Sequence, residues 1–244
     1  MDKEMRLDKY LADMGKGTRS QLKEAARKGR IRVNGQVVKK ADQKIRISED
    51  LVEMDGVSVP YVIMEYYLLN KPQGVVSATE DRKYKTVMDL IAEKSRKDLF
   101  PVGRLDMDTE GLLLITNDGA LAHNLLAPKK HVDKVYFAVC EGHIKNEVIE
   151  TFAEGVELPD GLKCLPAKLE ILNRGENEDG RYTEIHLTIR EGKFHQVKRM
   201  MEAAGCPVKY LKRLTMGPLK LDPELNPGEY RPLTGQELEL LLKL

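Results

Sequence analysis

An apolar run of four residues, LLLI at 112–115, lies between an acidic loop and the turn Asn117-Asp118-Gly119, and no other segment limits the fold so tightly. A run that short, closed on both sides by turn residues, has the length of a buried strand rather than of a helix. The turn leads into a helix that must stop before Pro128. Upstream, Asp106 sits between Leu105 and the loop Met107-Asp108-Thr109-Glu110-Gly111. A carboxylate on a loop beside a core strand is held by a rigid scaffold, as catalytic groups must be. Spacing alone is met equally by an ordinary loop carboxylate.

Elsewhere the elements alternate without strict strand-helix-strand repetition. YYLLN reads as a strand running into the Pro-Gly loop KPQG at 71–74. Thr86 with Asp89 in the capping-box position predicts a helix start, and Val148, Ile149 and Phe152 predict one over 145–153 closed by Gly155. VYFAVC and YTEIHLTIR alternate like half-buried strands, HQVKRMMEAAG predicts a helix ending at Gly205, and Thr234 with Glu237 caps a last helix. This mixture predicts an α+β catalytic domain with a mainly antiparallel sheet.

The first 48 residues differ from the rest. They carry 14 Lys/Arg against 6 Asp/Glu, a local balance of +8 inside a chain whose overall charge is +1. Such asymmetry marks a basic module facing a polyanion, or else a solvated basic face. Leu7, Tyr10, Leu11 and Met14 recur on one helical face, ended by Gly15 and Gly17. Thr18 or Ser20 caps a second helix over 19–28, and Asn34-Gly35 marks a tight hairpin within IRVNGQVV. Residues 53–65 read as a linker. With 5% aromatics and no tryptophan, stacking cannot be the main grip on a nucleic acid. The three cysteines, Cys140, Cys164 and Cys206, fit neither a disulfide framework nor a zinc motif and read as buried thiols. No stretch reaches the roughly 20 apolar residues of a membrane span, and the amino terminus lacks a signal-peptide core. A cytoplasmic, soluble protein is expected.

In order and wording, RLDKYLA, the Thr-Arg-Ser start of the second helix and GRIRVNGQVV resemble the small RNA-binding module named after ribosomal protein S four, over about 5–52. The resemblance implies a basic, shape-reading surface built from Arg19, Lys23, Arg27, Lys28, Arg30 and Arg32. Cations so arranged bind phosphates by releasing counterions. GRLDMDTEGLLLITNDG at 103–119 resembles the signature loop of the pseudouridine synthases. LLNKPQG at 68–74, KVYFAV at 134–139, EGKFHQVKRMMEAAG at 191–205 and PGEYRPLT at 227–234 agree in order. HQVKRM is similar to the branch that acts on the small ribosomal subunit.

That resemblance implies two domains, 1–60 for RNA binding and 62–244 for catalysis. It implies that Asp106 attacks either the uracil ring or the ribose anomeric carbon of a flipped-out uridine. Tyr136 is then the tyrosine beside the uracil, and Lys198 the cation paired with Asp106, with Arg199 next to it as the competing assignment. Arg104 is expected to fill the stack or grip phosphate, against the alternative of a surface salt bridge. His195 is expected to be structural or to contact RNA, Asp108 to support the turn, and Met200, Met201 and Met216 to fill core. The implied reaction needs no metal, nucleotide or redox cofactor, and His123, His131, His143 and His186 show no metal-ligand spacing. The implied partner is ribosomal RNA, small-subunit 16S RNA in this branch, and the protein is expected to be a monomer. A ribosome-assembly protein without catalysis, and a hydrolase that releases the base, are the readings from other classes.

Overall fold

In the computed structural model, which describes residues 4–244, the chain divides into two compact units. One runs up to Glu65 and also takes in Ala92–Leu99; the other comprises Tyr66–Ile91 and Phe100–Leu244.

The first unit contains β1 (Glu4–Arg6), α1 (Leu7–Asp13), α2 (Arg19–Arg27), β2 (Ile31–Val33), β3 (Gln36–Val37), β4 (Lys44–Arg46), β5 (Val52–Met54) and β6 (Val57–Ser58). The predicted face of the first helix is the buried one: Leu7, Tyr10, Leu11 and Met14 all join the unit's core with Leu22, Ala25 and Ala26 of α2. Thr18 caps α2 reciprocally with Gln21, which excludes Ser20 as the cap. Asn34 and Gly35 adopt φ of 52° and 76°, the double positive turn that lets β2 and β3 pair Val33 with Gln36. The supposed linker from residue 53 instead begins with a second hairpin. Asp55 and Gly56 take φ of 54° and 78°, and β5 pairs β6 in the sheet order β3-β2-β5-β6. An Asp-Gly turn signal was present, but strands of three and two residues are too short to show alternation. The segment Ala92–Leu99 is tied to this unit by Glu65, whose carboxylate accepts the backbone N–H groups of Ser95 and Arg96 at 3.0 and 2.9 Å.

The second unit is built on one nine-stranded sheet. Its strands are β7 (Tyr66–Lys71), β8 (Phe100–Pro101), β9 (Glu110–Thr116), β10 (Lys134–Glu141), β11 (Lys168–Asn177), β12 (Gly180–Ile189), β13 (Val208–Met216), β14 (Leu219–Lys220) and β15 (Tyr230–Pro232). The main order is β11-β12-β10-β13-β9-β7-β15, with β8 added to β9 and β14 to β13. Every pairing is antiparallel except β9 with β13, so the predicted mixed, mainly antiparallel α+β class is the observed one.

LLLI becomes the buried centre of β9, and Asp118 caps the following helix α3 (Gly119–Leu126) through Leu121 N–H. Helices α4 (Glu147–Glu154), α5 (Gln196–Ala203) and α6 (Gly235–Leu242) follow in chain order. The capping box of Thr86 and Asp89 forms, but it opens only one 3₁₀ turn, Val87–Asp89, instead of a helix. Two residues beyond that turn the chain leaves for the first unit, so no length is left for a second turn. The strand β11, absent from the sequence reading, is mostly solvent-facing and so lacks a clean alternation. Met200, Met201 and Met216 are wholly buried, and the three cysteines are buried free thiols. Among the described residues no helix is long and apolar enough to cross a membrane.

Candidate active site

The loop at 102–109, between β8 and β9, is fastened from several sides. Val102 and Leu105 bury their side chains. Leu105 N–H donates to Ser77 Oγ at 3.1 Å, and the same hydroxyl donates back to the Leu105 carbonyl at 2.9 Å. Gly74 N–H donates to the Met107 carbonyl at 2.8 Å, and Thr109 N–H closes onto the Asp106 carbonyl at 3.1 Å. The Lys71 ammonium, fully buried at the end of β7, donates to the carbonyls of Pro72 and Thr109, each at 2.9 Å. Burial pushes Lys71 down to about 8, against the opposing pull of Asp108, Asp106 and Glu110. The LLNKPQG motif therefore clamps the aspartate loop from within.

Held this way, Asp106 is largely sheltered, with 27% of its side chain exposed. Its Oδ2 lies 3.1 Å from Lys198 Nζ, and its Oδ1 lies 3.5 Å from His195 Nε2. Lys198 comes from α5, whose buried face is Gln196, Val197, Met200 and Met201. Successive helix residues point about 100° apart. With Lys198 directed at the loop, Arg199 turns away; it pairs with Asp160 at 2.5 Å and lines neither cavity at the site. The cation beside Asp106 is Lys198, not Arg199.

Lys198 serves a second carboxylate as well, Asp108 Oδ1 at 2.5 Å. Burial opposes the lysine's charge, but the contacts with Asp108 and Asp106 prevail and hold it above its ordinary value. Desolvation likewise opposes the charge on Asp108, and the Lys198 contact outweighs it, so that carboxyl stays below its usual range. Asp108 thus does more than support a turn. It helps to hold the lysine in place.

The start of α5 is fixed by a buried polar knot. Glu191, 5% exposed, accepts from Gln196 Nε2 at 2.8 Å and from Leu165 N–H at 2.9 Å, while Gln196 Oε1 accepts from Lys193 N–H at 3.0 Å. This knot sets the height of His195 and Lys198 against the loop. Tyr136 stands on β10, on the same buried face as Lys134, and is 8% exposed. It shares a recess of 60 Å³ with Arg104, Asp106, Thr109, His195 and Lys198. The recess opens through Arg104, Asp106, Gly192, Lys193 and His195 into a groove of 820 Å³. Arg104 is exposed, and among the described residues no carboxylate pairs with it, so the surface salt bridge weighed from sequence does not form.

In the first unit all six basic candidates are exposed. Arg30 is occupied by a fork of two bonds to Asp55 at 2.6 and 2.5 Å, and Lys28 pairs with Glu24 at 2.7 Å. Arg32 makes a long contact to the Gly35 carbonyl at 3.4 Å. Arg19, Lys23 and Arg27, spaced four apart along α2, face one side and make no salt bridge among the described residues.

Lys71, Ser77, Asp108 and Glu191 were not read as working residues. A charged residue at the end of a strand otherwise as apolar as YYLLN was the signal for Lys71.

Comparison with known proteins shows the family. Residues 65–203 match the model of the RNA pseudouridylate synthase family, and residues 5–52 match the S4 domain. An uncharacterized RNA pseudouridine synthase of Bacillus subtilis is 48% identical over 238 residues, covering 97% of this chain and 98% of the relative. Ribosomal small subunit pseudouridine synthase A of Haemophilus influenzae is 38% identical, covering 98% of this chain and all of the relative. A solved structure described as the crystal structure of pseudouridylate synthase superposes with a TM-score of 0.66 at 38% identity, over 97% of this chain and 99% of that one. The clamped aspartate loop, the lysine facing it and the basic amino-terminal unit are thus found in a chain that belongs to the RNA pseudouridylate synthase family and carries an S4 domain.

Proposed function

We propose that the protein isomerises one uridine of small-subunit 16S ribosomal RNA to pseudouridine in the cytoplasm, acting as a monomer, with Asp106 as the attacking group. Residues 1–60 dock on the RNA and residues 62–244 carry out the reaction. The observation that carries this reading is the sheltered Asp106 carboxylate, 3.1 Å from Lys198, in a recess lined by Tyr136 and opening onto a wide groove.

The chemistry follows from the groups present. A uridine leaves its stack and enters the groove, with Arg104 free to grip a phosphate or to fill the gap left behind. Asp106, held in place by Lys198 at 3.1 Å, engages the base or the anomeric carbon. The bond from N1 to the sugar breaks, the uracil turns, and C5 bonds to the sugar. C5 then loses its proton and N1 gains one, so that atoms balance in an isomerisation. Tyr136 packs against the turning ring near the departing proton. The exposed cations Arg19, Lys23 and Arg27 supply phosphate contacts that carry little sequence information.

Chemical mapping of pseudouridine in ribosomal RNA, from cells with and without the protein, tests the reading. Loss of one small-subunit position, restored by the unchanged chain and not by Asp106→Asn, is expected. The Asn variant should bind the RNA within a few-fold of the unchanged protein. An identical map in both cell types would remove the proposal.

A further inference from the structure

Phe194 is 71% exposed, more than any other large apolar side chain of the second unit. A single exposed apolar residue is ordinary. This one is held in place. Its ring stacks on His195 with centroids 3.8 Å apart and planes 18° from parallel. His195 reaches that position with φ 48° and ψ 33°, a left-handed backbone that is costly for a residue with a Cβ. At its ring edge His195 approaches the carboxylate, with Nε2 3.5 Å from Asp106 Oδ1. The Phe194 carbonyl also accepts from Arg199 Nη1 at 3.5 Å. One ring therefore backs the other, next to the loop that bears the carboxylate.

With one face of Phe194 against His195, exposure this large leaves the opposite face bare. Phe194 and His195 both line the 820 Å³ groove. Of the acids bordering the groove, Glu191 is met by Lys193 at 3.0 Å and Asp106 by Lys198 at 3.1 Å, while Asp81 takes two backbone N–H groups. The Arg104 guanidinium on the same groove has no carboxylate partner among the described residues. A bare π-face next to an unneutralised cation is the arrangement that takes a base and its phosphate together.

We propose that Phe194, backed by His195, is a stacking seat for the base adjacent to the flipped uridine. The His195 imidazole contacts both this ring and the Asp106 carboxylate, which sets the seat beside the attacking group. The proposal rests on the groove receiving RNA; it does not depend on the chemistry at Asp106. The seat selects for a base of any kind, since stacking is tolerant of sequence.

The test uses the full chain and two short RNA oligomers, each with one uridine, flanked by adenines in one and by abasic units in the other. The unchanged protein should bind the adenine-flanked oligomer about tenfold more tightly, the range expected for one stacked base. In Phe194→Ala the two oligomers should bind alike, and Phe194→Trp should restore the preference. Because the side chain is exposed, the substitutions leave the core intact. A preference retained in Phe194→Ala, or no preference in the unchanged protein, overturns the proposal and leaves the ring to another partner such as a protein. Binding is read whether or not either oligomer is isomerised, so failure here is distinct from an unchanged pseudouridine map.

Discussion

The Lys71 ammonium lies 2.9 Å from the Thr109 carbonyl in a fully buried position, so a charge from β7 fixes the loop that carries Asp106. Folding lowers Lys71 from its ordinary 10.5 to about 8 through burial. Between those values the unfolded chain binds more protons than the folded one, so the contribution of Lys71 to stability rises with pH across that window. Below about pH 8 the folded protein bears the full cost of the buried charge. Unfolding measured on the unchanged protein and on Lys71→Met should show the unchanged protein gaining on the variant from about pH 8 to about pH 10. Lys134, also lowered to about 8 by burial, is present in both proteins and cancels. A flat difference would mean that the Lys71 charge is solvated. At neutral pH the variant should turn over about a hundredfold more slowly, because a loop carrying reacting atoms tolerates little displacement.

Lys198 bridges Asp106 and Asp108, but the two partners are unequal in exposure, 27% against 70%. Lys198→Met should lower the single-turnover rate about a hundredfold, as removal of a charge-stabilising donor does elsewhere. Lys198→Arg should recover part of the loss. Asp108→Asn should cost only a few-fold, since water already competes for that carboxylate. Equal losses in Lys198→Met and Asp108→Asn would assign the reaction to the pair and not to Asp106.

The six basic residues of the first unit should not contribute equally to RNA binding. Among the described residues Arg19, Lys23 and Arg27 make no salt bridge, whereas Arg30 and Lys28 pair with Asp55 and Glu24. Changing each of the first three to Gln should reduce the slope of log affinity against log salt by about 0.7 to 0.9 per residue. Arg30→Gln and Lys28→Gln should each change it by less. Binding titrations of a ribosomal RNA transcript over a salt series read both. Equal slopes for the two groups would show that the salt bridges open when RNA arrives.

Gly111 begins the buried part of β9 with φ 102°, and a Cβ there would lie 2.3 Å from the Arg213 carbonyl oxygen and 2.8 Å from its nitrogen. Both atoms are backbone of the parallel partner strand, so no side chain can yield. Gly111→Ala should therefore lose about 3 kcal/mol in urea unfolding, from overpacking and left-handed strain combined. A loss below about 1 kcal/mol would mean that β9 and β13 can part at this point without cost.

Several elements could be read directly because their signals are local. The spacing of Leu7, Tyr10, Leu11 and Met14 defines the buried face of α1, and Asn34-Gly35 sets a turn that only positive φ allows. The turn at Asn117-Asp118-Gly119 places the end of β9 and the start of α3, and Thr234 with Glu237 caps α6. The motif segments also identified which residue types surround Asp106. The hairpin at Asp55-Gly56 escaped because its strands are shorter than one full alternation, and the 3₁₀ turn after Thr86 because a cap signals a start and not a length.

Short-range spacing and turn chemistry by themselves determined most helices and the strands with a clear apolar pattern, while the resemblance of the motif segments pointed to two domains and to Asp106. Only the tertiary structure decided that Lys198 and not Arg199 faces it, that Asp108 shares that lysine, and that Lys71 fills the loop from below. The same holds for Ala92–Leu99, which joins the first unit through Glu65 some 30 residues earlier. Periodicity and turn chemistry act over one turn or one hairpin. The partner of a charge is chosen by which strands and helices pack together, and that depends on contacts between residues far apart in the chain.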